Sequence, residues 1–486
     1  MNVKAISRHV GASLLVNALF MFFSILVSIA NGYDNALAPL LISFTITFTV
    51  GVFPFIFVRK AAGISMAEGY VIIVLAWLLS FIFGMLPYAL WGGPFTIINA
   101  WFESVSGYTT TGATILENVE GLPDSLLFWR SSTHFIGGLG VVVFLLLLIP
   151  SASQTKLRLS SLEISSLSKS SYKFRARKTI YIFANVYLGL VLSAFLCYWI
   201  AGMTPFEAIC HAMSVAATGG FSTRNLSIAS FQSLPITLIT MVYMVLASMH
   251  FGLIFLVLAR RSLKPLNNEV LKFYLCGIVI GSLLLGVTLK ADGVEQNWGH
   301  ALLNGSFHII SYASTTGFAI ADNSAWPLLA SVLLIFFGIQ CGMAGSTTGG
   351  VKSDRILLFY KQIGYYLKHA LYPSSINEVR LNGRVVKQED VAPHILFVSL
   401  FLVVMMLSFL ICLIFGVDNM EALSSTISSL SNVGPSVGAM GTFGNYNVEP
   451  TAVKFMYAFD MFLGRVEIYP VFAVVSMIFG RKPILR

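Results

Sequence analysis

The fold of this chain is decided by SGYTTTGAT, residues 106–114, in which three threonines and a glycine follow a tyrosine. Long apolar runs flank this stretch on both sides, unlike the polar flanks of a turn on a soluble protein. Non-helical backbone at membrane depth is tolerated only where it is buried in protein or lines a water-filled cavity. The meaning of the stretch therefore depends on whether its surroundings are membrane spans and on whether it recurs.

The composition indicates a membrane protein. Of the 486 residues, 56% are hydrophobic and only 10% are charged, against about 25% charged in soluble domains. Many apolar runs reach the length of about 20 residues that a helix needs to cross a bilayer. We therefore predict an all-α polytopic membrane protein. The first apolar run, 11–30, is interpreted as a true span, because it is long and no small-residue cleavage site follows it.

The distribution of charge orients the spans. The net charge is +9, basic residues concentrate in alternate loops, above all in 156–178 and 352–387, and the intervening loops are acidic. This alternation is the positive-inside pattern, which predicts that both termini and the basic loops lie in the cytoplasm. Aromatic residues do not interleave with the basic residues as a stacking platform requires, so we expect no nucleic-acid partner.

Motifs for catalysis or for a structural metal are missing from the sequence. The five cysteines lie far apart in apolar context, and the eight histidines form no HxxxH or HExxH pair. These patterns favour free thiols and give no support to a disulfide framework or a zinc site. No paired intramembrane carboxylates or histidine clusters suggest catalysis, so we predict that the chain is not an enzyme and has no covalent cofactor.

The opening stretch recurs three times. TTTG ends at Gly112, AATG at Gly219, STTG at Gly317 and SNVG at Gly434. Each loop lies between two apolar spans and directly follows a short apolar segment that is too brief to cross a membrane. Four such loops in one context indicate internal repetition, with a unit of span, half-span, loop and span. Four units and two leading spans predict ten crossings, an even number that agrees with both termini on one side.

The repetition predicts a division of the chain. We expect two leading transmembrane helices in 1–60, pore repeat 1 in 61–150, a basic cytoplasmic linker in 151–178, pore repeat 2 in 179–262, pore repeat 3 with a broken last helix in 263–362, a second cytoplasmic linker in 363–390 and pore repeat 4 in 391–486.

Four equivalent re-entrant loops can meet around a pseudo-fourfold axis and surround a central pore. Carbonyl groups released from helical bonding can then replace the hydration shell of a cation, as the four TVGYG loops of potassium channels do. Glycine permits the positive φ that turns successive carbonyls the same way. The short helix before each loop points its partially negative C-terminal end toward the axis, which favours cations. The alternative is that each glycine only breaks a helix for packing, and recurrence in four loops favours a filter.

At these loops the chain resembles the Trk/Ktr/HKT superfamily of cation transporters, specifically the bacterial Trk-type potassium uptake membrane subunits. The resemblance runs along the whole chain and is sharpest at SGYTTTGAT, at AATGGFSTRN (216–225) and at GMAGSTTGGVK (342–352). It implies a potassium-selective pore in the bacterial inner membrane, surrounded by lipid, with two copies per assembly. It also implies gating by a cytoplasmic nucleotide-binding subunit that forms an RCK ring. Potassium is then the transported ion and the only metal expected.

The resemblance implies one filter triplet in each loop. The triplets are Thr110, Thr111 and Gly112; Ala217, Thr218 and Gly219; Thr315, Thr316 and Gly317; and Asn432, Val433 and Gly434. The fourth departs most, because Asn-Val keeps backbone coordination and loses the hydroxyls. Each loop lacks the second glycine and the tyrosine of TVGYG, so a shorter and less selective filter is expected. Plant relatives that favour sodium carry serine at the first glycine, so Gly112 favours potassium.

A second glycine-rich stretch lies below the third loop. It consists of Gly345, Ser346, Thr347, Thr348, Gly349 and Gly350. The pattern is close to a P-loop, but Val351 separates the glycines from the lysine, and a membrane helix precedes them instead of a strand. A packing kink is the plain alternative, whereas the resemblance implies a mobile gate loop under the filter. We expect deletion of residues 346–349 to raise basal ion flux and to leave selectivity unchanged, because the filter itself is untouched.

Arg465 lies near the middle of the last apolar span, where a bare charge costs at least about 2.5 kcal/mol to insert. Glu467 is too close in sequence to face it on a helix, and Asp460 is a poorly spaced partner. The arginine forms either a structural ion pair inside the bundle or a fixed positive charge that projects into the pore and opposes cation passage.

Two other functions stay open at this point. One is a secondary transporter for another small solute, built from two inverted halves with broken helices. The other is a less selective transporter of potassium and sodium. Four units that run in the same direction argue against inverted halves, and passive and ion-coupled transport both fit the residues.

Overall fold

The computed structural model describes residues 2–58, 65–147, 176–374, 378–386 and 388–480. The helices are α1 (Val3–Ala30), α2 (Leu37–Phe57), α3 (Met66–Gly84), α4 (Leu86–Trp91), α5 (Ile97–Tyr108), α6 (Asp124–Leu147), α7 (Ala176–Ile200), α8 (Pro205–Ala217), α9 (Leu234–Ser248), α10 (Phe251–Arg260), α11 (Glu269–Ala291), α12 (Trp298–Ala313), α13 (Leu328–Ile339), α14 (Ser353–Leu371), α15 (Gln388–Ile414), α16 (Asn419–Ser431), α17 (Thr451–Arg465) and α18 (Tyr469–Phe479). Parallel strands β1 (Gln340–Cys341) and β2 (Val351–Lys352) pair, as do antiparallel strands β3 (Arg380–Leu381) and β4 (Arg384–Val385). The predicted linker 151–178 falls outside the described residues except at its C-terminal end.

Several of these helices can cross a membrane. Within the described residues, six spans are long and apolar enough: α1, α2, α3 with α4, α7, α11 and α15. The bent pairs α9–α10 and α17–α18 raise the number to eight if each pair is one span. With 12 residues, α13 is too short to cross by itself. The chain is thus an all-helical, multi-pass membrane protein, and the ten crossings stay a prediction.

Short helices occupy the four predicted half-span positions. They are α5, α8, α12 and α16, with 12, 13, 16 and 13 residues. Each begins at a polar residue whose side chain accepts a backbone N–H of the first turn: Thr96, Thr204, Asn297 and Asp418. Such caps satisfy donors that have no partner inside a helix. The short helices can therefore begin within the bundle without leaving these N–H groups unpaired.

The helix that follows each loop is broken along its length. Gly140 interrupts α6 with φ 65°, and α9 meets α10 at 101°. In the third unit, α13 gives way to a loop at 342–350 that the β1–β2 pair closes. In the fourth, α17 meets α18 at 106°, and Glu467 and Ile468 have positive φ. The sequence predicted this break only in the third unit, whereas the structure has one in each.

Buried apolar side chains form two main clusters. One joins α1–α6 to α15–α18 and contains Phe81, Trp129 and Tyr457. The other joins α7–α13 and contains Tyr198 and Phe307. The first and fourth units therefore share one core, and the second and third share the other. The two cores meet where the first loop faces the second and where the third faces the fourth, so these two boundaries need contacts of their own.

The predicted linker 363–390 contains regular structure. Its first part continues α14, and β3–β4 form a hairpin whose turn residues, Asn382 and Gly383, both have positive φ, as a type I′ turn requires. Glu269, at the start of α11, accepts the Asn382 N–H at 3.0 Å and forms an ion pair with Lys361 of α14. The hairpin therefore fastens α14 to the first helix of the third unit.

Candidate ion filter and the loop beneath it

The four recurrent loops share one backbone geometry. After each short helix, a backbone N–H donates to the carbonyl of a serine five residues earlier: Thr111 to Ser106, Gly219 to Ser214, Thr316 to Ser311 and Val433 to Ser428, each at 2.9 Å. The residue before each of these donors is left-handed: Thr110 (φ 52°), Thr218 (56°), Thr315 (51°) and Asn432 (59°). Residues with a side chain seldom adopt this conformation. Its recurrence at the same place in all four loops marks the equivalent positions.

The residue after each donor is a glycine with positive φ. These glycines are Gly112, Gly220, Gly317 and Gly434. The prediction for the second loop is therefore wrong by one residue, because Gly220 and not Gly219 is the equivalent of Gly112. Gly219 takes the place of Thr111, and Ala217 is the last residue of α8. The triplet of the second loop is Thr218, Gly219 and Gly220.

The loops approach one another in a closed cycle. An added Cβ would lie less than 3.0 Å from a carbonyl oxygen in each case: Gly112 against Gly219, Gly220 against Thr316, Gly317 against Val433 and Gly434 against Thr111. Each glycine thus faces the carbonyl of the preceding position in the next loop, and the fourth loop closes on the first. Because φ is also positive, glycine is required here for conformation as well as for space.

Neutral oxygen atoms gather at this ring. The carbonyl oxygens of Thr111, Gly219, Thr316 and Val433 accept no backbone hydrogen bond within the described residues. The Thr111 hydroxyl is held by the Thr109 hydroxyl at 2.8 Å, and the Thr316 hydroxyl by that of Ser314 at 2.7 Å. In the fourth loop, Val433 offers no hydroxyl, and the Asn432 amide donates to Thr111 Oγ1 at 3.0 Å. Hard oxygen donors of this kind suit alkali and alkaline-earth cations better than soft metals.

The glycine-rich loop 342–350 is fastened at its base by charged side chains. The Lys352 ammonium donates to the Thr348 carbonyl and, at 3.0 Å, to the Thr348 hydroxyl. The Asp354 carboxylate accepts the Ala344 N–H at 2.6 Å. Both charged side chains are buried. Backbone hydrogen bonds also hold the loop, from the Met343 N–H to the Ser248 carbonyl at 2.9 Å and from the Phe251 N–H to the Gly345 carbonyl at 3.0 Å. The loop is therefore fixed by buried charged side chains together with backbone contacts to the junction of α9 and α10.

The same loop touches the filter loops directly. The Gly349 N–H donates to the Thr315 hydroxyl at 3.0 Å, and the Thr347 hydroxyl donates to the Ala216 carbonyl at 3.1 Å. A Cβ on Gly349 would overlap the Ser431 carbonyl oxygen. These contacts reach the second, third and fourth units. Removing the loop would leave two acceptors on the recurrent loops without these donors, and the effect of such a deletion on selectivity stays a prediction.

Arg465 connects this loop to the first unit. Its guanidinium donates to the Thr347 carbonyl at 2.7 Å and to the Gly137 carbonyl of α6 at 2.6 Å. The candidate partner Asp460 accepts instead from the Ser408 hydroxyl at 2.8 Å. Arg465 also lines a cavity together with the predicted gate residues 345–350. The arginine therefore holds the loop by hydrogen bonds and places its charge at the wall of this cavity.

Comparison with known proteins places these features in a family. The TrkH family, described as cation transport protein, matches residues 40–279 and 292–480. The chain belongs to this family. The Trk system potassium uptake protein TrkH of Salmonella typhimurium is 31% identical over 495 residues, which cover 99% of this chain and 100% of the relative. The Trk system potassium uptake protein TrkG of Escherichia coli K12 is 31% identical over 465 residues, covering 92% and 93%.

A solved structure agrees with the TrkH-family fold. The crystal structure of the potassium transporter TrkH from Vibrio parahaemolyticus matches with a TM-score of 0.88 and 28% sequence identity, covering 99% of this chain and 100% of that one. The resemblance inferred from the loop motifs is confirmed. The TrkH family is one of transport proteins, so the prediction that the chain is not an enzyme is confirmed as well.

The register error in this TrkH-family chain had a signal that could have prevented it. Phenylalanine follows the positive-φ glycine in two loops, as Gly220–Phe221 and Gly317–Phe318. Aligning these two Gly-Phe pairs selects Gly220, whereas aligning the preceding Ala-Thr-Gly with Thr-Thr-Gly selects Gly219. The packed aromatic residue after the turn was thus more informative than the polar residue before it.

Proposed function

We propose that this chain takes up potassium through a central pore whose filter is the ring of four loops. The observation that carries the proposal is the closed cycle in which each positive-φ glycine faces a carbonyl of the next loop. Similarity over nearly the full length to proteins named for potassium uptake supports it. In this proposal the four units are pseudo-symmetric repeats around the pore, and α1 and α2 lie outside the repeats.

The filter binds potassium mainly through backbone oxygens. The contributing triplets are Thr110, Thr111 and Gly112; Thr218, Gly219 and Gly220; Thr315, Thr316 and Gly317; and Asn432, Val433 and Gly434. Carbonyls that are free of backbone partners can replace water around a dehydrated ion. The side chain at the middle position differs between loops, from threonine to glycine to valine. A shared backbone with different side chains therefore points to carbonyl coordination as the common element.

The loop 342–350 is the gate in this proposal. It lies against the filter loops and lines the cavity that Arg465 also lines. Glycines at positions 345, 349 and 350 make its backbone easy to rearrange. Hydrogen bonds from Arg465 and Lys352 hold it in the closed position. Opening requires these bonds to break together, and a pull on α14, which directly follows the loop, would supply that force.

The orientation and the partners follow from the charge pattern and the family. We place the chain in the bacterial inner membrane with both termini and the linkers 151–178 and 363–390 in the cytoplasm, as a homodimer. A cytoplasmic nucleotide-binding ring docks on the linkers and moves α14. Reversing the charges of Arg175, Arg177 and Lys178 should weaken co-purification with that subunit. Full retention of the complex at matched salt would count against the docking site.

Purified protein in liposomes tests the proposed function. Under a potassium gradient the reversal potential should follow the potassium equilibrium potential, and sodium should shift it little. Thallium flux without uptake of labelled amino acids would separate a cation pore from a transporter of another solute. A reversal potential that moves with an imposed pH gradient would indicate proton coupling. Protein that supports no potassium current, with intact folding and insertion, would overturn the proposal.

A further inference from the structure

The boundary between the first and second loops contains a buried ion pair that the filter proposal does not use. Arg130 of α6 pairs with Glu103 of α5 at 2.8 Å, and the two side chains are 2% and 0% exposed. The boundary joins the two hydrophobic cores. In the sequence, Glu103 and Arg130 are isolated charges in apolar surroundings, and such charges in a membrane protein mark functional positions by default.

The pair binds the chain just after the filter in both loops. Glu103 accepts the Thr114 hydroxyl at 3.0 Å and the Ile115 N–H at 3.1 Å, both two or three residues beyond Gly112. Arg130 donates to the Ser222 carbonyl at 3.2 Å, just beyond Gly220 in the second loop. We call the residues that follow the positive-φ glycine of each loop its outgoing limb. One ion pair therefore connects the outgoing limb of the first loop to the outgoing limb of the second.

An aromatic contact strengthens this connection. The Arg130 guanidinium lies over the Phe221 ring at 3.9 Å, and the His134 imidazole stacks with the same ring at 4.1 Å and 14°. His134 also hydrogen-bonds the Ser214 hydroxyl at 3.1 Å. Two side chains one turn apart on α6 thus hold the residue that directly follows Gly220. A cation over an aromatic face in a buried site is a favourable contact.

The equivalent position differs in the other three units. Two helical turns before the left-handed residue stand Glu103 in α5, His211 in α8, His308 in α12 and Ser425 in α16. The histidines bond the outgoing limb of their own loop, through Ser222 Oγ at 2.9 Å and the Ala321 carbonyl at 3.2 Å. At the other boundary between cores, the bonds are neutral: the Asn323 amide and the Tyr312 hydroxyl donate to the Ser436 carbonyl. Among the salt bridges of the described residues, Arg130–Glu103 is thus the one that connects two of the four recurrent loops.

We propose that the Glu103–Arg130 pair is a positioning element for ion selectivity, because it sets the distance between the first and second filter loops at the junction of the two cores. The proposal rests on the proposed potassium filter. Neither residue coordinates the ion; they act through the backbone limbs that follow Gly112 and Gly220. The two outgoing limbs cannot move apart unless the buried ion pair breaks. Breaking it would leave a charge unpaired inside the protein, which is strongly unfavourable.

The test measures reversal potentials of reconstituted protein in mixed potassium and sodium. Glu103→Gln should lower the potassium-to-sodium permeability ratio by about 5-fold or more, within the range of coupling changes from residues that do not touch the ligand. Thr114→Val keeps both charges and removes a hydroxyl that donates to Glu103 and accepts from Arg130 and from the Leu116 N–H, so it should lower the ratio by about 2-fold. Glu103→Asp keeps the charge and should recover part of the ratio that Glu103→Gln loses.

The control is the ion pair of Arg224 with Glu207 in the second unit. It joins at 2.6 Å, but Arg224 is 44% exposed, and the pair connects the outgoing limb of the second loop to the short helix α8 of the same unit and not to another loop. Arg224→Met should leave the permeability ratio unchanged.

The outcomes separate the alternatives. If the wild-type protein shows no potassium selectivity, the proposed filter itself is wrong. A selective wild type, with Glu103→Gln and Thr114→Val at the wild-type ratio, would overturn the positioning role. An equal loss of potassium and sodium current in Glu103→Gln would also overturn it, because the remaining Arg130 charge repels both cations alike. If Glu103→Gln does not fold, the ratio in Thr114→Val decides the question.

Discussion

The filter loops and the gate loop are both glycine-rich, non-helical and buried, yet they are held in different ways. Each filter glycine faces the backbone of a neighbouring loop, and the contact occurs four times around a cycle. The gate loop 342–350 occurs in the third unit and is held by side chains, including Arg465 and Lys352, together with backbone hydrogen bonds to the junction of α9 and α10. A cycle in which every loop contacts the next resists change at any one place, whereas the gate loop depends in part on a few side-chain bonds that can break.

The largest effect is expected for Gly112→Ser. The new side chain would overlap the Gly219 carbonyl oxygen and would also require positive φ. We expect the potassium-to-sodium permeability ratio to fall by about 10-fold, which corresponds to ~1.4 kcal/mol. Gly416→Ser is the matched control, because Gly416 has φ 82° with open space around an added Cβ. An unchanged ratio for Gly112→Ser in reconstituted protein would contradict a single ring of filter glycines.

The next prediction tests the corrected register. Gly220→Ala should reduce the permeability ratio nearly as much as Gly112→Ser, because its Cβ would overlap the Thr316 carbonyl oxygen. The three atoms nearest to a Cβ on Gly219 all belong to the His134 side chain. Gly219→Ala combined with His134→Ala should therefore reduce the permeability ratio less than Gly220→Ala does, with His134→Ala alone as the reference for the lost stack on Phe221. A larger loss of selectivity in the double variant than in Gly220→Ala would indicate that Gly219, and not Gly220, is the filter glycine.

Deletion of 346–349 tests whether the gate loop can be removed. Basal potassium flux should rise by about 5-fold, since the obstruction and its hydrogen bonds are gone. Selectivity should fall slightly, by about 2-fold, because the Thr315 hydroxyl and the Ala216 carbonyl lose their partners. Flux is measured by thallium influx into liposomes, with size-exclusion profiles to check folding. Wild-type flux in folded deletion protein would mean that the segment is only a packing kink.

The smallest effect is expected for Arg465→Ala, which should raise flux by about 2- to 3-fold with the ratio unchanged. Arg465→Lys separates two physical reasons for this rise. A lysine keeps the positive charge on the cavity wall but cannot bond the Thr347 and Gly137 carbonyls in the same planar geometry. Raised flux in Arg465→Lys would indicate that the hydrogen bonds matter most, and wild-type flux in Arg465→Lys would indicate the charge. Reduced flux in folded Arg465→Ala would favour a purely structural role.

The sequence alone determined the membrane class, the four recurrent loops and the family, because hydropathy, glycine spacing and charge pattern are local properties of the chain. It also singled out Gly112, Gly317 and Gly434, each of which lies two residues after a left-handed residue, and their role in a filter stays a prediction. In the second loop the Gly-Phe pair points to Gly220 and the Thr-Gly pair points to Gly219, so two local patterns compete. The tertiary structure decided between them, because Gly220 faces the carbonyl of Thr316 in the next loop.

The same distinction applies to the breaks in the helices after the loops and to the Glu103–Arg130 ion pair. A run of apolar residues predicts a helix that can span, but not where neighbours force it to bend, so three of the four breaks were found only in the structure. Glu103 and Arg130 lie 27 positions apart in the chain, and their sequence context shows neither the partner nor the burial. Packing of α5 against α6 beside the second loop brings them together. Contacts between loops depend on several chain segments at once, so they could be read only from the folded molecule.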